Sequence, residues 1–184
     1  MINTIVNDES AIINTSYGYN LTSNDFGGNG LVDWYAAHAY VNYLDSLNNG
    51  AGYGGSNQWA LPYIVDSSSS LNWPPSPSNS QLAELFYNEL NGAAGSPIPT
   101  GPFSNVQSYV YWSGTEYSAL PSYAWIFMTN AGNQGLNGKD GQFYAWAVSP
   151  GQVSAVPVSG AVWLFGSAIA GFGMLGRRKS TLAV

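Results

Sequence analysis

SYVYWSGTEYSALPSYAWIFMTNAGNQGLNGKDGQFYAWAVSPG, residues 108–151, decides the fold class of this chain. Three of its segments, SYVYWSGTEYS, YAWIFMTNAG and GQFYAWAVSPG, are short, aromatic or β-branched, and punctuated by Gly, Asn and Pro. Residues of this kind fit a pleated surface, so the three segments read as antiparallel strands, with NAGNQGLNGKDG as a hairpin connection. Upstream the periodicity is helical. In GLVDWYAAHAYVNYLDSLNNG, Asp33 stands as N-cap, Trp34, Ala37, Val41 and Leu44 fall on one face, and Gly50 supplies a stop. In SQLAELFYNELNG, Ser80 is the cap, Leu82, Leu85, Phe86 and Leu90 share a side, and Gly92 follows. Two helices and then a run of strands predict an α+β domain, with the two helices packed on a mainly antiparallel, strongly twisted sheet. The Ser/Pro-rich stretch SSSSLNWPPSPSNS between the helices is loop, better suited to a surface insertion than to a mobile interdomain linker.

The chain has 184 residues, of which 45% are hydrophobic and 15% aromatic, enough for one sizeable core with appendages. Only 8% are charged, against roughly a quarter in an average domain. Its surface is therefore expected to offer amide, hydroxyl and aromatic groups. All ten acids lie between Asp8 and Asp140, whereas three of the four basic residues are Arg177, Arg178 and Lys179. The body before that cluster carries a single cation, Lys139, and nine negative charges net. Phosphate binding needs Lys and Arg, so nucleic acid is excluded as a partner, and anionic glycans are disfavoured. The absence of Cys removes disulfides, thiolate metal sites and a Cys nucleophile.

The end of the chain has a different character. From Val158 to Gly176 there are 19 uncharged residues, followed at once by the basic cluster. As a helix this run is about 28 Å long, close to the roughly 30 Å of a bilayer's hydrocarbon core. The basic residues would keep the C-terminus cytoplasmic and the acidic body outside. The competing reading is a buried core helix. Against it count Gly160, Gly166, Gly171, Gly173 and Gly176, each of which weakens a soluble helix by about 1 kcal/mol.

VPVSGAVWLFGSAIAGFGMLGRRKS, residues 156–180, resembles the C-terminal PEP-CTERM sorting signal of Gram-negative bacteria. The residues that carry the likeness are Val156 and Pro157, then Trp163, Leu164, Phe165, Gly166 and Ser167, then Arg177, Arg178 and Lys179. The resemblance implies an exported protein held transiently in the inner membrane. An exosortase-type enzyme then cuts near the Pro motif, releasing the protein to the cell surface or extracellular matrix. The start of the chain, MINTIVNDESAIINTSYGYN, lacks the basic and apolar regions of a signal peptide, so the chain is expected to begin late in a longer protein. The division expected is a domain over 1–155 and a sorting tail over 156–184.

The body carries a second likeness. GGSNQWALP, QLAELFYNELN, YVYWSGTEYS and YAWAVSPG are similar, in order, to elements of the Lcl C-terminal domain family. INTIVNDESA resembles a worn form of a segment found near the start of relatives with the sorting tail. That family resembles C-type-lectin-like and sulfatase-modifying-type folds and implies glycan binding. Ala60 and Ser149 each stand where the family pattern has Arg, which removes two cations and weakens any affinity for acidic glycans.

No catalytic motif is present: no Gly-x-Ser-x-Gly elbow, no Walker loop, no His-Glu-x-x-His. His38, the only histidine, reads as a packed or solvated helix residue rather than a base or metal ligand. Glu84, Glu89 and Glu116 read as solvated or structural carboxylates rather than a glycosidase pair. Asn130, Asn133, Asn137 and Asp140 offer oxygen ligands for calcium, but with one carboxylate and Lys139 beside it the segment reads as a loop. Trp112, Trp125 and Trp146 alternate in strands and read as core rather than sugar-stacking platforms.

The expected function is non-catalytic binding of exopolysaccharide or another neutral glycan, with no cofactor and no resident metal. The candidate ligand residues are Tyr109, Glu116, Tyr117, Asn133, Asn137 and Tyr144. The rival is a structural subunit that self-associates into a homo-oligomer, matrix or filament, which low charge and abundant Tyr also suit.

Overall fold

The structure, a computed structural model, describes residues 2–15 and 18–150. The expected boundary at 155/156, the sorting-motif residues and the expected membrane helix lie outside the described residues. Among the described residues no helix is long and apolar enough to cross a membrane.

Three helices pack against a four-stranded mixed sheet, an α+β arrangement as expected. Helix α1 spans Ile2–Thr15, α2 spans Trp34–Gly50, and α3 begins as Gln81–Ala83 and widens into a π-helix over Glu84–Glu89. The strands are β1 (Val110–Glu116), β2 (Tyr123–Met128), β3 (Asn133–Gly138) and β4 (Tyr144–Ala145), in the order β3-β2-β1-β4. β1 and β3 both run antiparallel to β2. Two expectations are corrected here. NAGNQGLNGKDG is not a loop: its centre is edge strand β3, paired without a break from Tyr123↔Gly138 to Met128↔Asn133. And β4 is not antiparallel: it runs parallel to β1, Tyr111 opposite Tyr144 and Trp112 opposite Ala145.

The central strand β2, Tyr-Ala-Trp-Ile-Phe-Met, reads as a continuous apolar run because both faces of the sheet are covered. Successive side chains point to opposite faces. Trp112, Ile126 and Ala145 join α1 and α2 in one core, with Ile5, Ile12, Ala37, Tyr40, Val41 and Leu44. Their chain neighbours Tyr111, Phe127 and Trp146 meet Leu82 and Phe86 of α3 in a second core. A sheet with two helices was expected. The third helix, α1, went unseen because its Asn, Asp, Ser and Thr are poor helix formers, and over residues 5–14 only Ile5 and Ile12 are buried.

Both caps form as expected. Asp33 Oδ1 accepts from the Ala36 amide at 2.7 Å, and Ser80 Oγ from the Ala83 amide at 3.1 Å. α2 loses helical geometry before Gly50, where Leu47 turns extended and Asn48 and Asn49 take left-handed conformations. Asn tolerates that region better than most side chains. The Ser/Pro-rich segment is a surface insertion packed on β3: Gln134 Nε2 donates to the Ser70 carbonyl at 2.6 Å, and the Ser70 hydroxyl to the Val65 carbonyl at 2.6 Å.

Between Trp112 and Glu116 the β1–β2 register shifts, the mark of a bulge. There the Gly114 amide leaves the ladder and donates to the Pro62 carbonyl at 2.9 Å. This bond ties the loop 59–64 to β1 beside the smaller of the two grooves described next.

Candidate functional site

Lys139, the only Lys or Arg before the C-terminal cluster, is 5% exposed. Its ammonium pairs with the Glu116 carboxylate and lies 4.0 Å from the centroid of the Trp34 ring. Its backbone ties three elements: the carbonyl accepts from the Trp34 amide at 3.0 Å and the amide donates to the Ser122 carbonyl at 2.9 Å. Trp34 in turn donates from Nε1 to the Ser113 carbonyl at 3.0 Å. The body's one cation is therefore spent on structure and does not face a ligand.

The same Trp34 ring contacts His38, centroids 4.1 Å apart. Burial, with the Lys139 charge adding to it, pushes the His38 imidazole down to about 4, so it is neutral at physiological pH. Its Nε2 is buried without a hydrogen-bond partner among the described residues. Asp33 shifts the opposite way, up to about 6, because burial disfavours its charge and Asp25 repels it, against the Ala36 hydrogen bond that lowers it.

His38 lines one of two grooves that share Tyr63 as a wall. The smaller, about 280 Å³, lies between α2 and the β1 bulge, with His38, Asn42, Trp59, Ala60, Tyr63 and Thr115 around it. The larger, about 500 Å³, lies on the α3 side, with Pro62, Tyr63, Gln81, Glu84, Glu89 and Phe103. Tyr63 is 49% exposed between them. Trp59 is set by its own bonds: its amide donates to Asp45 Oδ1 at 2.7 Å and its Nε1 to the Tyr53 carbonyl at 3.0 Å. Neither groove is lined by a Lys or Arg. Ala60 lies on the rim of the smaller groove, and Ser149 hydrogen-bonds Ser56.

The residues singled out from the sequence do not converge on these grooves. Tyr109 and Tyr144 meet edge-on, ring centroids 6.0 Å apart, at the β4 side of the sheet. Asn133 and Asn137 sit on β3, with β2 and β1 between them and β4. Glu116 holds Lys139, and Tyr117 packs on Trp125 at 6.0 Å. Trp112 and Trp125 are fully buried and Trp146 is 6% exposed, so all three belong to the core. Among the described residues no three His, Asp or Glu side chains group to hold a metal ion.

The surface aromatics that sequence reasoning missed, Tyr63, Trp73 and Phe103, share a legible feature: each stands next to a proline in a loop. There no partner strand is available to cover the ring.

No curated protein and no solved structure matches the chain. The family model for the Lcl C-terminal domain matches residues 12–149, from within α1 to the segment after β4 that carries Val148, and so spans both grooves, the second core and all of the first but Ile5. This protein belongs to the Lcl C-terminal domain family.

Proposed function

We propose that this is an exported protein, processed by an exosortase-type enzyme near Val156 and Pro157, whose 1–155 domain binds a neutral polysaccharide without chemically altering it. Family membership supports the broader part, a surface or extracellular protein. The likeness of residues 156–180 to a PEP-CTERM tail supports transient anchoring in the inner membrane and release to the extracellular matrix.

One observation carries the binding reading: the two grooves on either side of the exposed Tyr63 ring, walled by aromatic, apolar and amide groups, with Glu84 and Glu89 on the larger one, and free of cations. Sugar rings present C–H faces that pack on aromatic rings, and hydroxyls that pair with amides; neither interaction needs charge. The domain, read as C-type-lectin-like, holds the polymer across Tyr63. Affinity electrophoresis of the full chain through gels containing the host exopolysaccharide tests this. Retardation that Tyr63→Ala abolishes supports the reading, and migration unchanged by the polysaccharide sinks it.

The structural-subunit reading keeps one specific support. Val65, Leu71 and Trp73, 42%, 50% and 63% exposed, put apolar surface on and beside the Ser/Pro-rich insertion. Sedimentation velocity over a wide concentration range separates the two, since a strictly monomeric body removes the rival. Processing has its own check: intact mass of the mature protein ends near Val156 or Pro157, and a mature form retaining Arg177–Lys179 refutes it.

A further inference from the structure

We infer that the binding surface continues past the smaller groove, along the exposed face of α2, to a third depression walled by Tyr19 and Tyr35, so that the site takes a run of several sugar residues of a linear neutral chain. The inference rests on the polysaccharide reading above and adds to it a second stacking ring, Tyr35, and the length of chain that is recognised.

The third depression, about 290 Å³, is lined by Gly18, Tyr19, Asn20, Leu21, Asp25 and Tyr35. It lies at the start of α2, whereas the smaller groove meets the same helix farther along, at His38, Val41 and Asn42. The helix surface joins the two. Tyr35, His38 and Asn42, at i, i+3 and i+7, fall on one face; Tyr35 and Asn42 are exposed and His38 partly so, while Trp34, Ala37, Tyr40 and Val41 turn into the core. His38 lines the smaller groove, and its ring centroid is 6.2 Å from that of Tyr19 in the third depression. From Tyr35 to Asn42 the helix rises about 10 Å at about 1.5 Å per residue, a distance that a chain covers and a single sugar ring does not.

Tyr35 is 39% exposed although its ring packs against Tyr19 at 5.8 Å and edge-on against Trp34 at 5.5 Å. A ring already fixed by its neighbours loses little freedom when a ligand covers it. Beside it stand Asn20, an exposed amide, and Asp25, whose carboxylate accepts from the Thr22 amide and hydroxyl and has further acceptor sites for a sugar hydroxyl. No Lys or Arg lines the depression: Lys139, whose ammonium is 5.6 Å from the Tyr35 centroid, is buried and paired with Glu116. A uronate or sulfate would therefore meet the Asp25 charge with no cation to offset it. A neutral sugar meets an aromatic face and an amide, as it does beside Tyr63.

Ligand length separates the two stacking rings. Host exopolysaccharide is partially hydrolysed with acid and sized into a trisaccharide fraction and a dodecasaccharide fraction. Each is titrated calorimetrically into the full chain as wild type, Tyr35→Ala and Tyr63→Ala, with near-UV circular dichroism to check that the variants are folded. The grooves beside Tyr63 serve a trisaccharide, and only the longer fragment reaches Tyr35 as well. The inference predicts that Tyr35→Ala weakens dodecasaccharide binding at least fivefold more than trisaccharide binding, whereas Tyr63→Ala weakens both. An equal effect of Tyr35→Ala on the two fractions, or no effect on either, overturns the continuation; the polysaccharide reading survives so long as Tyr63→Ala weakens binding. Failure of the wild type to bind the fractions and the intact polymer, or undiminished binding by Tyr63→Ala, overturns that reading and the inference with it. Should Tyr35→Ala not fold, Asn20→Trp, at an exposed position in the same wall, fills the depression and is held to the same comparison.

Discussion

The Lys139 ammonium rests 4.0 Å above the Trp34 ring, 105 positions away in sequence, and the Glu116 carboxylate closes the site from outside. The two halves of the ion pair are unequal: the Lys139 side chain is 6% exposed, that of Glu116 46%. Removing the exposed half strands a buried charge, whereas removing the buried half leaves a carboxylate that water can reach. Glu116→Ala should cost about 1–3 kcal/mol, reduced from the fully buried case because water reaches the pair. Lys139→Met, which keeps the apolar stem, should cost about 0.5–2 kcal/mol from the lost cation–π contact. Urea denaturation of both variants checks the order; Lys139→Met as the more damaging change would mean that the pair is not the anchor.

Two shifted groups at the two ends of α2's first turn give opposed pH dependences. His38 is lowered from 6.5 to about 4 by burial and by Lys139, so between these values the unfolded chain binds the extra proton and stability rises with pH. Asp33 is raised from 3.8 to about 6 by burial, so between these values the folded chain holds the extra proton and stability falls with pH. From these groups the wild type should show a nearly flat profile from pH 4 to 6. His38→Gln should unmask a decline and Asp33→Asn, which can still cap the helix, a rise. Identical slopes in both variants would show that neither group controls this range.

Asp66 ties the start of the Ser/Pro-rich insertion to the sheet. Its carboxylate accepts from the Ser118 amide at 3.0 Å and from Trp125 Nε1 at 2.9 Å, and hydrogen bonds from Ser118 and then Trp125 hold its pKa below the usual range. A group lowered in the folded state stabilises above its unfolded pKa and loses that contribution as pH falls below about 4. Asp66→Ala should lower the melting temperature and speed amide exchange across residues 65–72. Unchanged exchange there would show that Ser70 and Gln134 suffice to hold the insertion.

Ala60 is exposed on the groove rim, so a longer side chain is accommodated without repacking. Ala60→Arg places a cation where none exists and should confer retention on alginate gels that the wild type lacks, at a stability cost within about 0.5 kcal/mol. Equal mobility of variant and wild type in alginate would mean that the groove does not contact the polymer.

What was legible in the sequence was what depends on near neighbours. The caps at Asp33 and Ser80 reach three residues along the chain, and the buried face of α2, with Leu82 and Phe86 of α3, follows from helical spacing; Leu85 and Leu90 are only partly buried, α3 being a π-helix from Glu84. β1 and β2 announce themselves by composition. β3 does not: Asn-Gln-Gly-Leu-Asn-Gly has weak strand propensity and is held extended by its ladder to β2, a tertiary cause. The parallel pairing of β4 is likewise long-range. From the sequence Lys139 counted only as a cation beside Asp140, because Glu116 and Trp34, which bury it, are remote in sequence. The smaller groove escaped notice for a related reason: part of its wall, Gly114 and Thr115, lies at the β1 bulge, where the Gly114 amide meets the Pro62 carbonyl, remote in sequence.

The central claim is that polysaccharide is held across Tyr63, whose ring is half exposed and walls both grooves. Tyr63→Ala removes the stacking face at a surface position, where substitution leaves the core intact. The most direct measurement is the dissociation constant of wild type and Tyr63→Ala for the host exopolysaccharide, by affinity electrophoresis at several polymer concentrations. Saturable wild-type binding that weakens about tenfold or more in the variant, with equal melting temperatures, is the predicted result, since one stacked ring is worth about 1–3 kcal/mol by analogy with bases on aromatic side chains. Equal affinity of the two proteins would contradict the account.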